Sequence, residues 1–410
     1  MLVVAASVAI AACSDTDDDP GATAATTTTT VAEVPSRVDG RLTIGVMRPP
    51  AASLLRESLT LATEQAVDEI NAAGGSYGGD VVLVPVDEGD TVASARLAID
   101  QLLEEDVDAI IGPTSSVLAL STLEAIVSAD VLACSPTASS LALDDFPDEG
   151  LFFRTIPSDS MQASAIVMMA DQTGFRSVTI VYVDDAYGRP FADAVAAGLG
   201  TSSIEVVDSV GFPSGDGELD AAVGRVIDAD AEVVIVLANS NDGTQFLEAL
   251  DDEPRSSKID SVIVNDAMRS PESAQRIAGL GASTREKVLG VAPQAVADDP
   301  EEPFDPPGPF ATNAFDCVTL IALAAELVQS DSGSAIASAM SSVSSGGSGC
   351  GTYETCVEAL RLPREIDFDG AAGLTEIGLA RGETVRARFD VFSFDDEGND
   401  VFEGSFPVGA

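Results

Sequence analysis

The chain contains no histidine and no tryptophan, and it carries 20 Lys and Arg residues against 68 Asp and Glu. Without histidine there is no Ser-His-Asp triad, no imidazole general base and no His-ligated zinc. A formal net charge of −48 repels phosphate backbones and anionic headgroups, which argues against nucleic acid as a partner. The acid excess itself reads as solubility or a salty habitat, a statement about charge and not about fold. No Gly-x-x-x-x-Gly-Lys stretch or dinucleotide fingerprint is present, and no Gly-x-Ser-x-Gly stands at a strand-to-helix elbow, since the match at Gly74–Gly78 follows a helical pattern and precedes a strand. Paired carboxylates could still do glycosidase-type work, but among 68 acids such pairs arise by chance. What the chain does have is 410 residues, 45% of them hydrophobic. That is too long for a single core and suggests two domains of ordinary size.

The first apolar stretch, "LVVAASVAIAA" at Leu2–Ala12, is shorter than the about 20 residues a membrane-spanning helix needs, and it reads as the core of a secretory signal. The following "IAAC", Ile10–Cys13, resembles the lipobox of bacterial lipoproteins, which implies a signal peptide over 1–12 and a lipid on Cys13. An ordinary signal with an incidental cysteine is the other reading. Residues 14–40 are rich in Thr, Ala and Asp and poor in apolar bulk, so 13–40 is expected to act as a lipidated, flexible tether. Four further cysteines in an exported chain suggest disulfides. Cys350 and Cys356 bracket the short loop "CGTYETC" and are the best-placed pair, which leaves Cys134 with Cys317 among the three possible pairings. Their spacing does not suggest a metal site.

From Arg41 the hydrophobic pattern switches repeatedly between short apolar runs and helical periodicity. Strands are expected at 41–47, 80–87, 108–112 and 131–135, with helices at 53–72, 91–106 and 116–128 between them. A second set follows "FFRTIPSDS": helices over about 160–173, from Arg189, over 217–228 and over 242–250, with strands at 177–183, 204–210, 232–237 and 261–265. Such alternation marks parallel sheets covered by helices on both faces. A Pro-rich acidic loop at 298–310, a long apolar helix at 311–328, a Ser/Gly-rich loop at 341–349 and an antiparallel hairpin at 385–404 with its turn at Gly398 complete the chain. Two wound lobes with chain left over imply crossovers, and ligands of such sheets sit beyond the strand carboxyl ends.

One stretch raises its own question. In "DAIIGPTSSVLALS" a buried strand stops at Gly-Pro, and two serines precede a helix. With "LTIGV", "AVDEINAAGG", "VVLVPVDEGDTVASARLAIDQLLEEDVDAIIGPTSS", "CSPTASS", "FFRTIPSDSMQASAIVMMA", "VTIVYVDDAYGRPFADAVAAGL" and "IDFDGAAGL" in this order, the chain resembles the type I periplasmic binding proteins of the branched-chain amino-acid family that serve ABC transporters. The resemblance runs from about 41 to 404 and implies an α/β fold of two doubly wound, Rossmann-like lobes joined by interlobe crossovers. On that plan one lobe holds 41–155 plus about 292–362, and the other 156–291 plus about 363–410. It also implies a binding module without catalysis or cofactor, closing on a small amino acid-like ligand. Its partners would be an ABC permease and its ATPase, and a lipid anchor would hold it outside the cell membrane. A ligand sensor for a membrane receptor is the alternative, and a repressor of the same fold is disfavoured by the export signal and the missing basic head.

The resemblance also assigns residues. Ser116, with Ser115 beside it, takes the place of the serine that binds an α-carboxylate at a helix N-terminus, where free amides and the positive dipole end already favour an anion. A plain helix cap would also account for both serines. Thr137 would offer main chain and Ser139 its hydroxyl, where the family commonly has Thr. Tyr187 matches a tyrosine that packs on the ligand, and Asp266 the acid that pairs with the ammonium. Asn239 and Ser240 depart from the pattern, since amino-acid binders often carry an aromatic there. An amide, a small peptide or another carboxylate therefore stays open as ligand.

Overall fold

In the first half of the molecule each short run of Val, Ile and Leu became a strand, and each amphipathic stretch became the helix that covers it. The structure is a computed structural model, and it describes residues 39–53, 55–185, 187–215, 219–294, 304, 308–362, 364–373, 376–378 and 382–409. The expected signal peptide, Cys13 and nearly all of the tether lie outside the described residues, as does most of the loop at 298–310.

The chain begins β1 (Thr43–Arg48), α1 (Leu55–Ala72), β2 (Val82–Asp87), α2 (Val92–Glu104), β3 (Ala109–Ile111), α3 (Ser116–Ser128), β4 (Leu132–Ser135) and β5 (Phe152–Arg154). The five strands form one parallel sheet in the order β2-β1-β3-β4-β5. The winding direction reverses between β1 and β3, which opens a crevice at their carboxyl ends. Then follow α4 (Asp159–Thr173), β6 (Ser177–Val183), α5 (Gly188–Leu199), β7 (Glu205–Phe212), α6 (Leu219–Ala229), β8 (Val233–Leu237), α7 (Ser240–Asp251), β9 (Ser261–Val264), α8 (Pro271–Ala278), α9 (Ala282–Arg285) and β10 (Val288–Pro293). Here the parallel part runs β7-β6-β8-β9-β10, the same winding as the first sheet, with its reversal between β6 and β8.

The tail returns twice. Helices α10 (Ala311–Val328) and α11 (Gly333–Val343), strand β11 (Ser348–Cys350), α12 (Tyr353–Arg361), β12 (Ile366–Phe368) and β13 (Glu376–Ile377) lead to the hairpin β14 (Thr384–Phe394) and β15 (Asp400–Gly409). β14 pairs antiparallel with β10 and completes the second sheet. Ile366, Phe368 and Ile377 pack into the core of the first sheet and Ala387, Phe389 and Phe392 into the second, while β13 itself pairs with β14 in the second sheet. The expected Ser/Gly loop at 341–349 is shorter than its composition suggests, because Ser341–Val343 still belong to α11 and Ser348 starts β11.

Helix α10 is long and apolar enough to cross a membrane, yet Ala311 through Ala325 are all buried against α1 and α11. Its composition is that of a core helix. Both cysteine pairs are bonded: Cys134–Cys317 ties β4 to α10, and Cys350–Cys356 closes the loop before α12.

Candidate ligand-binding cleft

Strand ends from both sheets bring their loops together where the chain first passes from one to the other, at residues 155–158. On the first sheet, Ser115 is the cap of α3, its Oγ accepting from the amide of Leu118 at 3.2 Å. The first amides of α3 have no carbonyl within their own helix, so they stay available to an anion. Ser116 Oγ accepts from the Ser140 amide at 3.2 Å, which leaves its hydroxyl hydrogen able to donate outward. Thr137 donates its Oγ1 hydrogen to the Thr114 carbonyl at 2.7 Å. The two serine-bearing loops are thus tied to one another. Ser139 is half-buried beside them, and its carbonyl accepts from the Asp159 amide at 2.8 Å.

Across from these hydroxyls stand acids. Asp159 opens α4, is 2% exposed, and its Oδ2 is buried with no hydrogen-bond partner among the described residues. Burial, reinforced by the Asp266 carboxylate, pushes the Asp159 carboxyl up to about 7, against the weaker opposing pull of the Ser139 hydroxyl and Arg154. Asp266 sits in the turn after β9; burial raises its pKa too, while hydrogen bonds from Gln162 and Asn265 work the other way. Tyr187, just before α5, accepts a hydrogen bond at its hydroxyl from Asn265 Nδ2 at 2.9 Å. Burial and the two neighbouring carboxylates raise the tyrosine far above the ordinary phenol range, so it stays neutral. Beside Asp266 lies a hollow of about 90 Å³ with mostly apolar walls from Ile156, Ala292, Pro293 and Phe310.

Among the residues singled out from sequence, Ser139, Tyr187 and Asp266 gather around Asp159, with Ser115, Ser116 and Thr137 on the loops next to Ser139. Asn239 stands just after β8, next to Ala238, whose amide donates to Asn265 Oδ1 at 3.4 Å. Asn239 caps α7, accepting from the Asp242 amide at 3.0 Å and donating to Asp242 Oδ2 at 2.7 Å. Ser240 is likewise engaged, with the Ser270 and Ser273 hydroxyls at 2.9 and 2.6 Å. Sequence reasoning misses Asp159. Its only signal is its place in "SDS" at a helix start, where an acid is usual because it complements the helix dipole.

The raised carboxyl of Asp159 has a stability consequence with a definite sign. In the folded, ligand-free chain its protonated form is favoured; that contribution is fully present below about pH 4 and is lost as the pH climbs through about 7. Asp159→Asn removes the charge without changing the shape. It is expected to melt above the wild type at pH 8, by on the order of 1–3 kcal/mol, and level with it near pH 4. Calorimetry at the two pH values decides the matter; an equal offset at both would mean that the carboxylate is not strained.

A model of the family described as receptor family ligand binding region matches residues 58–397. The chemotactic signal transduction system substrate-binding protein BasB of Halobacterium salinarum is 28% identical over 330 residues, covering 78% of each chain. Leu/Ile/Val-binding protein homolog 3 of Brucella melitensis is 30% identical over 202 residues, which span 47% of this chain and 53% of that protein. Among solved structures, the substrate-binding protein LivJ of a branched-chain amino-acid transporter from Streptococcus pneumoniae, in complex with isoleucine, superposes with a TM-score of 0.65 at 19% identity over 90% of this chain and 100% of that one.

Proposed function

The chain belongs to the receptor family ligand binding region, with the fold of the type I periplasmic binding proteins, and on that premise we propose that it captures a small zwitterion in the cleft between its two sheets. One observation carries this reading: two carboxylates, Asp159 and Asp266, crowd a buried space opposite serine hydroxyls and the amide end of α3. Arg154 offsets the two acids only in part, so holding them together is costly, and a ligand ammonium would relieve that cost. A ligand carboxylate would take hydrogen bonds from Ser116, Ser115 and Ser139, and Tyr187 would close over the carbon skeleton. The apolar hollow beside Asp266 would suit a small aliphatic side chain. An amino acid or close relative satisfies all of these groups together; a simple carboxylate satisfies only the first sheet.

Contacts from both sides would stabilise a closed arrangement, the usual way such a protein signals occupancy. We assign the protein to the outer side of the membrane, held by a lipid on Cys13, with delivery to an ABC permease and its ATPase. Two disulfides agree with an oxidising compartment. Reporting to a membrane receptor is a second reading, favoured by the likeness to a chemotactic substrate-binding protein over 78% of both chains.

The test is calorimetric titration and thermal shift with leucine, isoleucine, their amides and simple carboxylates. A ligand at 100 times its Kd should add about 2.7 kcal/mol of stability. Asp266→Asn and Asp159→Asn should each weaken an amino acid about 100-fold. Because the ammonium needs ionised Asp159, affinity should fall by up to about tenfold per pH unit below 7 and flatten above it. If a carboxylate without an ammonium binds as tightly as the amino acids and ignores both substitutions, the reading is wrong.

A further inference from the structure

We propose that Glu88, a residue outside the ligand-lining set, is the positioning residue for the hydroxyl side of the cleft; this rests on the reading of that cleft as a ligand site. Glu88 follows β2 and is 0% exposed, and its amide donates to the Arg48 carbonyl at 2.9 Å. On its other side Gly89 turns with φ +73°, where a Cβ would come within 2.2 Å of Ser94 Oγ at the start of α2. The backbone on both sides therefore fixes where the carboxylate points.

That carboxylate grips a single residue with both oxygens. Oε1 accepts from the Thr114 amide at 2.8 Å, and Oε2 takes the Thr114 hydroxyl. Burial raises its pKa and the two Thr114 hydrogen bonds oppose that rise; no cation contributes. Thr114 is the residue before the α3 cap, and its carbonyl holds the Thr137 hydroxyl at 2.7 Å. Ser135 Oγ donates to the Pro113 carbonyl at 2.7 Å and accepts from the Ala138 amide at 3.0 Å. Ser140 then bonds back to Ser116. The ends of β2, β3 and β4 are stitched into one unit, and the Glu88 clamp is its anchor on β2. A glutamine could keep the bond to the amide. It would leave the Thr114 hydroxyl facing an amide nitrogen, so the second bond would have to reverse its donor. An acid supplies two acceptors for two donors, which is what Thr114 presents.

The deciding experiment compares wild type, Glu88→Gln and Glu88→Ala by hydrogen exchange of the ligand-free protein and by titration with leucine and leucinamide. Phe246→Leu, a destabilised control in the core of the second sheet, is carried alongside. We expect Glu88→Ala to speed exchange at residues 112–118 and 135–141 and to leave 184–190 and 264–268 unchanged. It should weaken leucine about tenfold while changing leucinamide less, since the loosened loops serve the carboxylate. Glu88→Gln, which keeps only the bond to the amide, should show both effects at smaller size, and it stands in if the alanine variant does not fold. Exchange that stays at the wild-type level in both loops would overturn the proposal, as would a uniform loss matching the Phe246→Leu control. Faster loops in Glu88→Ala, combined with no binding of either probe to wild type, would uphold the clamp and remove the ligand reading instead.

Discussion

Replacing Cys134 and Cys317 together by alanine is expected to cost about 5 kcal/mol of folding stability. The bond joins residues 183 apart in sequence, so it closes a loop that takes in most of the second sheet. Cross-linking removes entropy from the unfolded chain in proportion to the logarithm of that loop, and the native bond is fully buried on both sides. The Cys350–Cys356 bond spans a separation of only 6, and the same relation gives about 2 kcal/mol. Urea unfolding of the two double-alanine variants, with peptide mapping to confirm the remaining bond, measures both. Equal losses would show that local packing and not loop closure governs the two bonds. The first bond also bears on the cleft. Cys134 lies one residue before Ser135, where the loop carrying Thr137 and Ser139 begins, and Cys317 lies on the buried helix α10. Its removal should therefore weaken ligand binding as well, whereas removal of the second should not.

How much of this was legible in the sequence follows from where the physics is local. The helix expected at 116–128 coincides with α3, because apolar periodicity and a serine cap act within one turn of each other. Thr91 caps α2 for the same reason. Strand β5 is not legible, since Phe152–Arg154 is three residues long and its pairing with β4 is a tertiary matter. Strand β10 and helices α11 and α12 also escape; a Ser- and Gly-rich composition hides α11, whose apolar face shows only against α10. At the cleft, the residues suggested by resemblance are those with distinctive loop context. Asp159 carries no such mark among 68 acids; what sets it apart is its burial beside Asp266 with one oxygen unpartnered among the described residues. Asn239 reads two ways: a strand-end asparagine suits a ligand contact, and in the structure its side chain caps the following helix.

Arg154→Met is expected to destabilise the protein by about 3–5 kcal/mol, because it takes a cation from between buried carboxylates. Arg154 is 0% exposed. Its guanidinium pairs with Asp144 and, at 2.5 Å, with Glu383, and it donates to the carbonyls of Ala138 and Ser140 at 3.3 and 3.1 Å. Its backbone amide bonds to the Gly382 carbonyl at 3.1 Å. One side chain therefore joins the end of β5, the loop that presents Ser139 and the last return of the chain toward β14. Methionine has a similar reach and no charge, so the loss measures the ion pairs and hydrogen bonds more than a cavity. Arg154→Lys should fall between the two, since an ammonium keeps the charge but cannot fork to four acceptors. Adding Asp144→Asn and Glu383→Gln to Arg154→Met should recover part of the loss by removing the stranded charges. No recovery in the triple variant would mean that the guanidinium acts by packing alone. The two carbonyls it holds flank Ser139, and Glu88 anchors the same loop from its other end through Thr114 and Thr137. Affinity losses from Arg154→Lys and Glu88→Gln should therefore combine non-additively, because either change frees the loop that the other was holding.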